Sequence, residues 1–201
     1  MKRVLLLAFG IVLGAGLVFG QVGYIGLFTD IAHTSCNMYI TAAGGVKRIY
    51  VYHMMARETT ACRFAIKTTG LVGGQEECDL TGITYYFTLV LGDPFFEPPY
   101  DDDNAGVAFA YGSCNTTGAI YLMRITLTCA VGMTPPPACS SLETVPAPDA
   151  PTGTIEVVDC EDRMLFGGGL RFAINPNPTC ACGDVLPAHE STWGKVKALY
   201  N

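Results

Sequence analysis

Val46-Lys47-Arg48-Ile49-Tyr50-Val51-Tyr52-His53 is the stretch whose reading decides the fold class. Val46, Arg48, Tyr50 and Tyr52 fall on one face of an extended chain and Lys47, Ile49, Val51 and His53 on the other. β-branched and aromatic residues run through both sets, which favours a strand.

The same pattern recurs outward from it. Tyr24, Ile25, Leu27 and Phe28 suit a first strand. Ala61 to Lys67 sets Cys62, Phe64 and Ile66 against Arg63, Ala65 and Lys67. Ile83 to Leu91 is a run of nine residues rich in Tyr, Phe, Thr, Leu and Val between Gly82 and Gly92-Asp93-Pro94, as expected of a central strand. Gly106 to Tyr111 and Ala119 to Cys129 read as a pair joined by a hairpin loop, Gly112-Ser113-Cys114-Asn115-Thr116-Thr117-Gly118. Gly153 to Asp159 is answered by a return strand over Arg163 to Asn175. No stretch before residue 190 carries a long helical stripe. Many short strands punctuated by Gly and Pro predict an all-β, antiparallel β-sandwich, Ig-like or jelly-roll-like.

Six of the twelve prolines lie between Thr134 and Thr152. That composition reads as a linker, but Cys139 lies within it, and Leu142 with Val145 suggests a short edge strand strapped to the sandwich. The expected organisation is therefore a signal segment over 1–20, a sandwich over 21–150, a disulfide-tied β extension over 151–186 and a short helical tail over 187–201. In that tail Ser191 or Thr192 is a fitting N-cap, and Trp193, Val196, Leu199 and Tyr200 follow at helical spacing.

Lys2 and Arg3, followed by the apolar and glycine-containing run Val4 to Val18 and the small residues Gly16 and Gly20, have the layout of a secretory signal. The alternative is an uncleaved anchor, because apolar character continues to Phe28; in that case the segment is the chain's one attachment to a membrane. Either way the positive end stays cytoplasmic and the cysteines are exported. Cleavage after Gly20 removes Lys2 and Arg3 and moves the formal charge from -6 to -8. This acidity, with no Lys/Arg cluster, excludes a nucleic-acid partner. The partners expected are an envelope or extracellular protein or a glycan, and the location is secreted, periplasmic or cell-surface.

Nine cysteines follow the signal: Cys36, Cys62, Cys78, Cys114, Cys129, Cys139, Cys160, Cys180 and Cys182. In an exported chain such residues are disulfide candidates first. The odd number leaves one thiol over, and any choice of it leaves 105 connectivities. Cys62 with Cys78 across a hairpin, and Cys139 with Cys160 across the proline segment, are plausible pairs. Cys180 and Cys182 are too close in sequence for an ordinary bridge and should reach different partners. The competing use of that region is a metal site of Cys180, Cys182 and His189 with Asp184, although it lacks paired C-x-x-C knuckles.

Gly23-Tyr24-Ile25-Gly26-Leu27-Phe28-Thr29-Asp30, Ala110-Tyr111-Gly112-Ser113-Cys114, Val157-Val158-Asp159-Cys160 and Ser191-Thr192-Trp193-Gly194-Lys195-Val196-Lys197-Ala198-Leu199-Tyr200 resemble segments of secreted bacterial proteins of unknown function. The resemblance implies secretion and assigns no catalytic residue. If the source is bacterial, the glycosylation sequon Asn115-Thr116-Thr117 is unused.

Catalytic patterns are sparse. Asp30, His33 and Ser35 are near neighbours, but a triad is a spatial arrangement. Cys36 with His33 as base is the thiol-enzyme alternative. The calcium alternative rests on Asp101, Asp102, Asp103 and Asn104, hard oxygen donors without EF-hand spacing. Phe95, Phe96 and Tyr100 beside them could present a platform for a glycan or a partner. The plain reading of that loop is a solvated turn. The function expected is a structural or binding protein of the envelope or extracellular space, with no catalysis and no cofactor beyond that calcium ion.

Overall fold

The computed structural model describes residues 23–40, 45–71, 79–96, 106–129, 133–182 and 185–186. The expected signal segment, Asp101 to Asn104, Cys78, Asp184, His189 and the expected tail over 187–201 lie outside them. Among the described residues the chain is all-β, with thirteen strands and no helix.

The strands are β1 (Tyr24–Phe28), β2 (Asn37–Met38), β3 (Gly45–Met54), β4 (Thr59–Thr69), β5 (Asp79–Tyr85), β6 (Val90–Asp93) and β7 (Phe95–Phe96). They continue with β8 (Gly106–Ala110), β9 (Ala119–Cys129), β10 (Ser140–Val145), β11 (Ile155–Asp159), β12 (Met164–Ile174) and β13 (Val185–Leu186). Their order across the sheet is β5-β9-β3-β1-β12-β10-β4-β8-β6. One hydrophobic core joins Ile49, Val51, Ile125 and Leu127 of β3 and β9 to Phe64, Phe109, Val157 and Phe172 of β4, β8, β11 and β12. The path thus folds over on itself into a two-layered sandwich.

Pairing is mixed rather than purely antiparallel. β1 and β2 run parallel to β12, and β7 runs parallel to β4. β12 is the turning point. Its first half pairs with β11 and its second half with β10, while Gly168 and Gly169 pair with Tyr24 and Ile25 of β1. β10 and β11 therefore lie end to end between β12 and β4.

Thr144 joins the layers where these strands meet. Its Oγ1 donates to the Ile25 carbonyl at 2.8 Å and accepts from the Leu170 N–H at 2.7 Å. A buried hydroxyl is tolerated because both roles are filled. Gly169 has no side chain for a steric reason: a Cβ there would lie 2.0 Å from the Thr144 carbonyl oxygen.

Several sequence expectations change here. Ile83 to Leu91 is not one central strand. It breaks after Tyr85, and the two halves become β5 and β6, the two outermost strands of the order. Ile83 pairs only with Ile125 on its β9 side, and Tyr85, Tyr86, Leu89 and Leu91 remain exposed, so this run marks an open edge. β8 and β9 do not form a hairpin. β8 pairs with β4 and β6, β9 with β3 and β5, and residues 111–118 cross between layers. β10 is interior rather than an edge, and the segment expected as an extension beyond residue 150 supplies β11 and the central β12.

Three bridges are described: Cys36–Cys182, Cys114–Cys160 and Cys139–Cys180. Cys180 and Cys182 do reach different partners. The pairings Cys62–Cys78 and Cys139–Cys160 are overturned, because β4 and β5 lie in different layers and the proline segment is held from residue 180. Cys129 is also disulfide-bonded, whereas Cys62 is a buried free thiol. The Cys36–Cys182 bridge spans 146 residues, and closing a loop of that order restricts the unfolded chain by about 4–5 kcal/mol in the chain-entropy account.

Candidate functional site

The crossing loop after β8 is held at both ends by backbone hydrogen bonds and by a disulfide. Tyr111 N–H donates to the Thr60 carbonyl at 2.8 Å, and Asn115 N–H to the Thr59 carbonyl at 2.9 Å. In return Glu58 N–H donates to the Asn115 carbonyl at 2.8 Å and Ala56 N–H to the Gly118 carbonyl at 3.2 Å. Cys114 is bridged to Cys160 at the β11–β12 turn. The partner segment turns sharply through Met55 and Glu58, both at positive φ (55° and 62°).

Asn115 shows why the sequence takes this path. Its Nδ2 donates to the Ala56 carbonyl at 2.7 Å and to the Thr117 carbonyl at 2.8 Å, while Oδ1 accepts from the N–H and hydroxyl of Thr117. An Asn two residues before a Thr is a turn-forming pair. The sequon is therefore an internal brace, with its amide nitrogen turned to the protein.

Tyr111 begins the loop and points inward. Its Oη lies 2.8 Å from Nδ1 of His53, which is fully buried on β3, and it also hydrogen-bonds Cys62 of β4. Burial first, and the neighbouring Cys62 second, push the Tyr111 phenol far above its usual range. Burial likewise pushes the Cys62 thiol up to about 12, with the Tyr111 hydrogen bond opposing it. Cys62 is thus a neutral thiol in the core. A nucleophilic cysteine needs the thiolate, so the odd cysteine is a packing residue joined to a buried Tyr–His pair.

Outside Tyr111 the loop lines a depression of about 340 Å³ together with Phe87, Ile120 and Tyr121. No charged side chain lines it among the described residues. Tyr121 belongs to a row of rings across the outer face of β3 and β9. His33 meets Tyr52 at 4.0 Å between centroids, Tyr52 stacks on Tyr121 at 4.8 Å, and Tyr121 stacks on Tyr86 at 4.1 Å.

The other sequence candidates resolve into structure. The Asp30 carboxylate accepts from the N–H groups of Ala32, Thr34 and Ser35 and from the Thr34 hydroxyl, closing the loop after β1. Desolvation pushes this acid up, but those hydrogen bonds outweigh it and hold it below the usual range. Cys36 is bridged to Cys182 and cannot act as a nucleophile with His33. Cys180 and Cys182 are both bridged, which removes them as thiolate metal ligands. Asp101, Asp102, Asp103 and Asn104 lie outside the described residues.

Sequence reading did not single out Tyr111, Phe87 or Tyr121. The available signal was the aromatic residue closing a strand just before Gly112-Ser113-Cys114. What the periodicity could not give is that residues 53, 62 and 111 come together from β3, β4 and the crossing loop.

No protein-family model and no curated protein matches the sequence. Among solved structures, the chain is similar in outline to a cohesin module from a family 33 glycoside hydrolase of Clostridium perfringens, with a TM-score of 0.46, 11% identity, and 79% of this chain and 100% of that one covered. It is also similar to a type II cohesin domain from the cellulosome of Acetivibrio cellulolyticus, with a TM-score of 0.44, 11% identity, and coverages of 78% and 96%. A type I cohesin from Clostridium thermocellum, solved in a cohesin–dockerin complex, gives a TM-score of 0.41, 6% identity, and coverages of 79% and 97%. With TM-scores below 0.5, the likeness is too loose to carry the cohesins' properties to this chain.

Proposed function

We propose that this chain is an exported, disulfide-clamped binding module of the cell envelope or extracellular space, with residues 1–20 acting as its signal segment. The observation that carries the reading is the crossing loop, fixed by a bridge and by hydrogen bonds at both ends beside an uncharged, aromatic-lined depression. Preorganisation of this kind reduces the cost of ordering on binding. The groups capable of chemistry have structural partners instead: Cys62 is buried and neutral, Asp30 closes a turn, and seven cysteines are bridged.

Co-sedimentation of the purified oxidised protein with isolated envelope and extracellular polymer fractions tests this. Saturable retention is expected, with a marked loss in the Cys114→Ser/Cys160→Ser double variant. Absence of retention on any fraction would sink the reading.

A protein partner is favoured by a separate observation, the crossover from β5 to β6. Tyr85, Tyr86, Leu89 and Leu91 are exposed within seven residues there, and both flanking strands are outermost in the sheet order. Concentrated apolar exposure of this kind marks contact surfaces.

A further inference from the structure

We infer that the depression beside the crossing loop is a binding site for a neutral pyranose sugar, the size of one or two rings. The inference rests on the binding-module reading and names the ligand class of that site.

The lining sets the class by what it offers and what it lacks. Its volume, about 340 Å³, stands at the lower end of small-ligand pockets. A charged ligand would lose water there and find no opposite charge in return. The apolar part comes from Phe87, Ile120, Tyr121 and the ring of Tyr111. The Tyr111 hydroxyl is committed inward to His53 and Cys62, so this residue meets the depression with carbon.

The polar part is equally selective. Asn115 and the Thr117 hydroxyl are occupied in bracing the loop, and they are not available to a ligand. Ser113 and Thr116 are exposed, and their hydroxyls make no hydrogen bond among the described residues. They offer neutral donor–acceptor groups next to aromatic carbon. A pyranose has the matching layout, with C–H groups that pack on aromatic rings and hydroxyls around the rim that both donate and accept. A purely apolar ligand would leave the two hydroxyls facing it without partners. The bridge to Cys160 and the contacts to residues 56–60 hold Ser113 and Thr116 in place before anything binds.

The test is NMR titration of the disulfide-intact, isotope-labelled protein. The probes are methyl glucoside, methyl galactoside, methyl mannoside, xylose, N-acetylglucosamine, cellobiose and chitobiose, with glucosamine and glucuronic acid as charged counterparts. At least one neutral sugar should give saturable shifts confined to residues 85–89 and 111–121, and the charged counterparts should bind at least tenfold more weakly. Thr116→Ala and Phe87→Ala should each weaken binding by about tenfold. Thr116→Ala removes an exposed hydroxyl and should leave the melting temperature unchanged, which guards against a variant that merely fails to fold. The inference is overturned if no neutral sugar binds, if binding is indifferent to both variants, or if only N-acetylphenylalaninamide binds, which would assign the site to a peptide side chain. Retention on envelope material without sugar binding would overturn this inference alone and leave the binding-module reading standing.

Discussion

Tyr111 Oη stands 2.8 Å from His53 Nδ1, joining two layers through residues 58 apart in sequence. The same hydroxyl meets Cys62, so one phenol holds together β3, β4 and the start of the crossing loop.

The Cys62 thiol contributes to the loss of stability at alkaline pH. Cys62 keeps its proton in the folded chain to about pH 12, against an ordinary value of 9.0. Its contribution is intact below pH 9.0 and is lost as pH rises towards 12, because the unfolded chain releases that proton first. The slope is about 1.4 kcal/mol per pH unit for one such group. Denaturant melts from pH 8 to 10.5 should show the decline starting near pH 9, and Cys62→Ala should remove its first part. Native protein should not react with a thiol reagent at pH 8, whereas unfolded protein should yield one equivalent.

Thr144 and Gly169 form the second critical pair. Thr144→Val removes the bond to the Ile25 carbonyl and the bond from Leu170 N–H, at a cost of about 1–3 kcal/mol. Gly169→Ala drives a methyl group into the Thr144 backbone, and about 3 kcal/mol or more is expected. Equilibrium unfolding in urea reads both. A Gly169→Ala variant of wild-type stability would contradict the close packing of β10 on β12.

Asp159 contributes on the acid side. Desolvation pushes its carboxyl up, but the N–H groups of Arg163 and Glu161 and the Arg163 guanidinium hold it below the usual range. Its stabilisation is present above pH 4 and is lost as pH falls through the lowered value. Asp159→Asn should therefore be less stable than wild type at pH 6, with the gap narrowing below pH 4.

Non-reducing peptide mapping should recover Cys36–Cys182, Cys114–Cys160 and Cys139–Cys180. Cys129 is bridged as well and should also appear in a disulfide-linked peptide. A peptide linking Cys62 to any other cysteine would contradict the buried thiol.

Asn115→Ala tests the brace. It removes side-chain bonds to Ala56, Thr117 and the Thr117 hydroxyl. Faster amide exchange confined to residues 111–118, with about 1–2 kcal/mol lost overall, is the expected result.

The strands themselves were legible because alternation is a local property. Ala119 to Cys129 was read at its true bounds, and Val46 to His53 fell within β3. Layer membership was not local. The crossing loop reads like a hairpin in sequence, with small polar residues between two apolar runs, and only the pairing of β8 with β4 shows that it changes layers. Ile83 to Leu91 misled because an uninterrupted run of β-favouring residues fits both a buried strand and an edge that keeps apolar residues exposed. The mixed pairing was hidden for a similar reason: parallel neighbours such as Tyr24 and Gly168 lie far apart in the chain. The candidate site was the least legible part, since Phe87, Tyr111 and Tyr121 converge from three segments and no spacing rule connects them.

The central place of β12 governs how the molecule is assembled. A chain emerging from its N-terminus delivers β1 early, yet the parallel neighbour of β1 is Gly168 and Gly169, and β10 and β11, already able to pair with β4, gain their second neighbour only with β12. Until residue 174 is available, the two layers have no hinge and Phe64, Phe109 and Val51 have no sealed interior. The topology makes folding a closing event at the end of delivery, slow in the way that long-range pairings are slow. It leaves the early strands to be kept apart from other chains until the last third arrives.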